Sequence, residues 1–202
     1  MPESISEYVP QLAHDAESAR RWRRARAGWA VAAGLAAGLL ILIVAAPLLK
    51  AGGAPTAAET VYGAFALMCH QMDERSFHLV GFKLAVCARC FGLYVGALLG
   101  ALVYPFARPL VRRDLPARGW LIAAAVPTTV DFALGFFHVW ENTHASRFLT
   151  ASLLGLAVAF YFVPGAIDLA LTPRRYLFGR NSQSKLSNLL PTEGVDGHER
   201  QN

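Results

Sequence analysis

Four long apolar stretches divide the polar residues of this chain, near positions 28–49, 84–106, 119–140 and 148–171. Each is long enough, as a helix rising ~1.5 Å per residue, to cross a hydrocarbon core of ~30 Å. The pattern predicts an all-α integral membrane fold with four transmembrane helices in an antiparallel bundle. A shorter apolar stretch, 58–68, follows the break Gly52-Gly53-Ala54-Pro55. It is too short to span and predicts a small helix in the outer interface, delivering Cys69-His70 to the membrane surface. Three regions follow: a cytoplasmic N-terminal segment (1–27), a membrane domain (28–178) with an outer loop at 50–83, and a cytoplasmic tail (179–202). Residues 1–19 read as a short interfacial helix or a loose tail. The tail is rich in Ser, Asn, Gly and Gln without periodicity and is expected to be disordered.

Composition agrees with that pattern. Of 202 residues, 54% are hydrophobic and only 16% charged, against ~25% charged in soluble domains. The net charge of +5 has no basic-aromatic stripe behind it, so nucleic acid is not the expected partner. The basic residues cluster instead at helix ends. Arg20, Arg21, Arg23, Arg24 and Arg26 precede the first span. Arg108, Arg112, Arg113 and Arg118 link the second and third, and Arg174, Arg175, Arg180 and Lys185 follow the fourth. If all four segments span, these clusters share one side, which the positive-inside rule makes cytoplasmic. The expected location is the cell membrane, with both termini inside and the first helix an uncleaved anchor. Trp22, Trp29, Trp120 and Trp140 fall near helix ends, as interfacial anchors do.

Two helices carry small-residue repeats, Gly34 and Gly38 in the first and Gly92, Gly96 and Gly100 in the second. Such residues let helix backbones approach closely, within the bundle or toward another copy or a membrane partner. Cys87 and Cys90, read on one helix, lie about 60° apart and roughly opposite the glycines.

Polar groups that a bilayer disfavours gather toward the outer third. Asp131 lies inside the third helix, where a carboxylate costs a few kcal/mol and marks a site by default. His138 is expected on its face, seven residues on. Asn142 and Arg147 sit at the outer edge, near Glu74, Arg75 and Arg89. Asp131 is also a candidate for a buried ion pair with Arg75, Arg89 or Arg147. All three cysteines fall in one window, Cys69-His70 and then Cys87-Ala88-Arg89-Cys90. Three thiolates and an imidazole suit zinc or copper(I). A Cys-x-x-Cys pair at a helix start, with an arginine between, also suits a redox thiol.

The string Cys69-His70-Gln71-Met72-Asp73-Glu74-Arg75-Ser76-Phe77, with Gly81 and then Cys87-Ala88-Arg89-Cys90-Phe91-Gly92-Leu93-Tyr94-Val95-Gly96, resembles the prokaryotic membrane-protein family known as domain of unknown function 2085. Pro127 with Asp131, and Arg147 with Ser152 and Gly155, match its later elements more loosely. Phe132 stands where that family usually has glycine. The resemblance covers about 58–165, implies a membrane fold with a site at these residues, and leaves the activity open.

The favoured reading is an outward site with Cys69, His70, Cys87 and Cys90 as metal ligands for zinc or copper. Asp131 and Glu74 are its candidate acid/base or supporting groups. Arg75, Arg89 and Arg147 pair with them or bind an anionic substrate. Two alternatives stand beside it: a membrane thiol–disulfide oxidoreductase using Cys87 and Cys90, and a structural subunit stapled by a disulfide from Cys69. Soluble enzyme classes have no support, since the chain has no phosphate loop, dinucleotide glycine motif or nucleophile elbow.

Overall fold

The computed structural model describes residues 5–112 and 114–172, with side chains from Asp15 onward. The expected tail and the basic residues Arg113, Arg174, Arg175, Arg180 and Lys185 lie outside the described residues. The described chain is helical, in the order α1 (Ile5–Ala51), α2 (Pro55–Ala66), α3 (Ala88–Ala107), α4 (Arg118–Phe136) and α5 (His144–Leu171). Four of these, α1 and α3 to α5, are long and apolar enough to cross a membrane. Between α2 and α3 lie a single 3₁₀ turn, Asp73–Arg75, and a two-stranded hairpin of β1 (His78–Leu79) and β2 (Phe82–Lys83).

The element boundaries have local causes. The end of α1 is a glycine cap: Gly53 adopts φ +79°, Ala54 N–H donates to the Leu49 carbonyl and Gly53 N–H to that of Lys50. This arrangement satisfies carbonyls the helix leaves open. Pro55 then starts α2 with its ring pre-set for a first helical turn. Lys50 and Glu59 join across the corner at 2.9 Å.

Three expectations change. Residues 5–19 are neither a separate helix nor a loose tail but the start of α1, which runs on through Pro10 into the first span. The second span begins at Ala88 rather than at 84. Leu84, Ala85 and Val86 are almost fully buried and form an extended run. Leu84 N–H donates to the Phe77 carbonyl and Ala85 N–H to that of Ile43. His138 does not share the face of Asp131, since α4 ends at Phe136 and His138 sits in the following turn with φ +55°. The hairpin was not legible at all. Its turn places Val80 and Gly81 at φ +54° and +80°, and a β-branched residue is the least expected occupant of such a position.

Close packing runs along α3 and α5. Gly92, Gly96 and Gly100 face the α5 backbone at Phe148, Ser152 and Leu156, while Gly155 faces the α3 backbone at Leu93. A methyl group at any of these would overlap the partner helix, so the glycines set the interhelical distance. This seam is internal. A methyl group at Gly34 or Gly38 of α1, by contrast, would meet nothing within 4 Å, so these glycines set no close helix approach within the described bundle. Trp29 is not a free anchor either: its indole N–H donates to the Ala101 carbonyl at 2.7 Å.

Two apolar clusters mark the bundle's ends. One joins Ala25 and Ala32 of α1 to Ala101 and Tyr104 of α3 and Val163 and Ile167 of α5. The other joins Ile43 and Ala46 of α1 to Tyr62 and Phe65 of α2 and to the 84–86 run. Consecutive spans therefore run antiparallel, and Arg20–Arg26 lie toward the same end as Arg108, Arg112 and Arg118. The cysteines belong to the opposite end.

Candidate functional site

The local fold brings the thiols together from two directions. Cys69 follows the last turn of α2, its N–H donating to the Phe65 carbonyl at 2.9 Å, and its side chain is buried in the cluster at that end. The buried run 84–86 delivers Cys87 as the residue immediately before α3, with extended backbone, φ −70° and ψ 163°. Cys90 lies three residues on, in the first turn. The Cys-x-x-Cys pair therefore does not stand on one helical face; it spans the helix start, where side chains at these two positions face each other. The glycine seam points away, toward α5, as the sequence spacing implies.

The three sulfurs lie within 4.8 Å of one another, and Cys87 N–H donates to Cys69 Sγ at 3.2 Å. All three cysteines are free thiols. The Cys87 thiol is pushed down to about 5. The chief cause is hydrogen bonding from the Cys90 thiol; backbone N–H groups of Cys90 and Arg89 and the Cys69 thiol also favour its anion, outweighing the opposing effect of burial. A helix start favours thiolate for the same reason that it favours any anion.

The loop before this cluster is clipped to α2. Gln71, at φ +50°, donates from Nε2 to the Tyr62 carbonyl at 2.7 Å. The ammonium of Lys83 donates to the Gln71 carbonyl at 2.7 Å, and Tyr62 Oη donates to the Lys83 carbonyl at 2.5 Å. Burial raises the Tyr62 phenol, which keeps it a donor. Beneath the hairpin, Phe77 packs edge-on against Phe91 and Phe148, with ring centroids about 6 Å apart.

The thiols open into a cleft of about 320 Å³. His70, Arg75, Arg89 and Arg147 line it too, with Thr128, Leu93, Ala151 and Leu154 deeper in. His70 is exposed and stands outside the three-sulfur group. Asp131 is buried and pairs with Arg89, Nη2 to Oδ2 at 2.5 Å. Asn142 Nδ2 donates to the Asp131 backbone carbonyl, and the Arg89 guanidinium stacks over Phe132, 5.5 Å from its centroid. The Phe132 ring thus occupies the flank of the ion pair. Glu74 is exposed on the 3₁₀ turn and does not line the cleft. Sequence reasoning missed Met68 and Met72, whose thioethers line the same cleft; the Tyr94 hydroxyl lies 3.7 Å from Met68 Sδ. Their nearness to Cys69 in sequence was the available signal.

Residues 69–161 match a family described as "Predicted membrane protein (DUF2085)". An uncharacterized protein of Methanocaldococcus jannaschii, MJ1492, is 41% identical over 104 residues, covering 52% of this chain and 67% of that protein. An uncharacterized protein of Methanothermobacter thermautotrophicus is 30% identical over 95 residues, covering 47% of this chain and 84% of its own length. No solved structure matches.

Proposed function

The chain belongs to the DUF2085 family of predicted membrane proteins, and from that premise we propose that it is a multi-pass cell-membrane protein holding zinc or copper in its three-cysteine cluster, on the outer face. The observation that carries this reading is the approach of three free thiols to within 4.8 Å of one another. Zn–S bonds of ~2.3 Å in a tetrahedral site require sulfurs roughly 3.8 Å apart, so the cluster needs only a modest contraction. The acidic Cys87 thiol supplies one ligand already ionised near neutral pH. His70 borders the same cleft and takes the fourth position after a side-chain rotation in the zinc reading. In the copper(I) reading the thioethers of Met68 and Met72 suit the same soft ion. Asp131 acts through Arg89, fixing the guanidinium beside Cys90. Support for the outward face is the clustering of Arg20–Arg26 with Arg108, Arg112 and Arg118 at the opposite end.

A second reading has its own observation: Cys87 and Cys90 span a helix start with Cys87 acidic, an arrangement that suits thiol–disulfide exchange. Elemental analysis of the detergent-purified chain beside Cys90→Ser tests both. About one zinc or copper per chain, lost in the variant, supports the metal site. No metal in either protein would sink it, and counting free thiols would then separate a redox pair from a disulfide staple.

A further inference from the structure

We propose that the cleft beside the thiols binds a phosphoryl anion, held between Arg75 and Arg147. Three guanidinium groups, Arg75, Arg89 and Arg147, line this one cleft. Among the described residues Arg89 is neutralised by Asp131, whereas neither Arg75 nor Arg147 forms an ion pair with a carboxylate. Like charges gathered in a partly buried site repel, and an anion between them turns that repulsion into attraction.

The shape of the donors selects the anion. Guanidinium forks match the paired oxygens of phosphate and hold them bidentately. Arg89 Nε and Thr128 Oγ1, buried polar atoms of two residues that line the cleft, also lack hydrogen-bond partners among the described residues. Its deeper wall is apolar, at Leu93, Ala151 and Leu154. The arginines thus meet the charged end of a ligand while the wall accepts an apolar extension. At about 320 Å³ the cleft falls at the small end of ligand sites, roughly 300–1,000 Å³. It takes a phosphate group with a few carbons and not a pair of acyl chains. The ligand is free phosphate or the headgroup of an anionic lipid.

The site stands on the guanidinium groups and does not require a metal at the thiols. Its test is calorimetric titration of the full chain in neutral detergent with inorganic phosphate and, separately, with dihexanoyl phosphatidic acid. Saturable binding is expected. Arg75→Gln, on the exposed loop, and Arg147→Gln should each weaken it tenfold or more, whereas Arg112→Gln at the other end should leave it within twofold. Where Arg147→Gln does not fold, Arg147→Lys serves, keeping the charge and losing the fork. Tighter binding of phosphatidic acid identifies a lipid headgroup; equal or tighter binding of phosphate identifies the free anion. Absence of saturable binding of either probe to the unmodified chain overturns the proposal, as do affinities unchanged in the Arg75 and Arg147 variants. Metal content read on Cys90→Ser in the same titration keeps the two readings apart, since anion binding persists there if metal alone is lost.

Discussion

Both ends of the bundle carry exposed ion pairs, Lys50 with Glu59 at the cysteine end among them, but among the described residues the cysteine end alone holds a buried one. At the basic end the ion pairs are local and wet: Arg21 with Glu17 one turn away, and Arg112 with Asp114, all more than half exposed. At the cysteine end Arg89 and Asp131 meet across 42 positions of sequence, with the carboxylate side chain only 9% exposed. Exposed pairs contribute ~0–1 kcal/mol and are screened by salt. A buried pair is sensitive to loss of one partner, because the other is left charged in a poor solvent. The difference separates charges that orient and solubilise a helix end from charges that assemble something. It also explains how α4 is held. That helix packs along α5 and is otherwise little covered by protein, and the Asp131–Arg89 bridge ties it to α3.

The largest break in this comparison is Asp131→Ala, which leaves Arg89 unpaired. It should cost about 3–5 kcal/mol, whereas Asp114→Ala at the basic end should cost under ~1 kcal/mol. Thermal unfolding of both variants in the same detergent measures the contrast; equal shifts would mean that the Asp131 pair is no more than a surface contact. Next is the apolar seam that both ends share. Gly96→Val forces a branched side chain into the α5 backbone at Ser152 and should cost about 1–3 kcal/mol or more. The same change at Gly34, where an added Cβ meets nothing within 4 Å, should be close to neutral in that assay.

A third prediction concerns acidity at the cysteine end. With its thiol near 5, Cys87 should alkylate in the metal-free protein at a rate nearly flat from pH 8 to 6, falling as pH drops through about 5. A Cys90→Ala variant removes the chief hydrogen bond and should move that fall toward the ordinary thiol range near ~8.5. The sign for stability follows: the folded thiol is more acidic than the unfolded one, so its contribution is full above the unfolded value and is lost as pH falls toward 5. A rate that climbs tenfold per unit from pH 6 to 8 in the unmodified chain would contradict it. The smallest expected effect lies in the hairpin. Val80→Asn relieves a β-branched residue at φ +54° and should stabilise by up to about 1 kcal/mol; a lower unfolding temperature would mean that the valine side chain is needed for packing.

Much of this protein was legible in its residue order. Long apolar runs can satisfy their backbone groups in a bilayer only as helices, so span number follows from pattern alone. The placement of all three cysteines in one short window with Arg75 and Arg89, and of Asp131 at a depth where a carboxylate needs a reason, pointed to the site. Other features were settled by contacts between distant segments. The order of residues left open which arginine pairs with Asp131, and it implied a helix over 84–87 where burial against α1 imposes an extended run. That run makes Cys87 the start of α3 and turns it toward Cys69 and Cys90. Likewise the glycines of α1 and α3 look alike in sequence, and only the position of α5 makes one set a seam and leaves the other unused. Hydrophobic periodicity reports the solvent around each helix, which is a local property. Which side chains share a cleft depends on how the helices are arranged, and that is decided by packing.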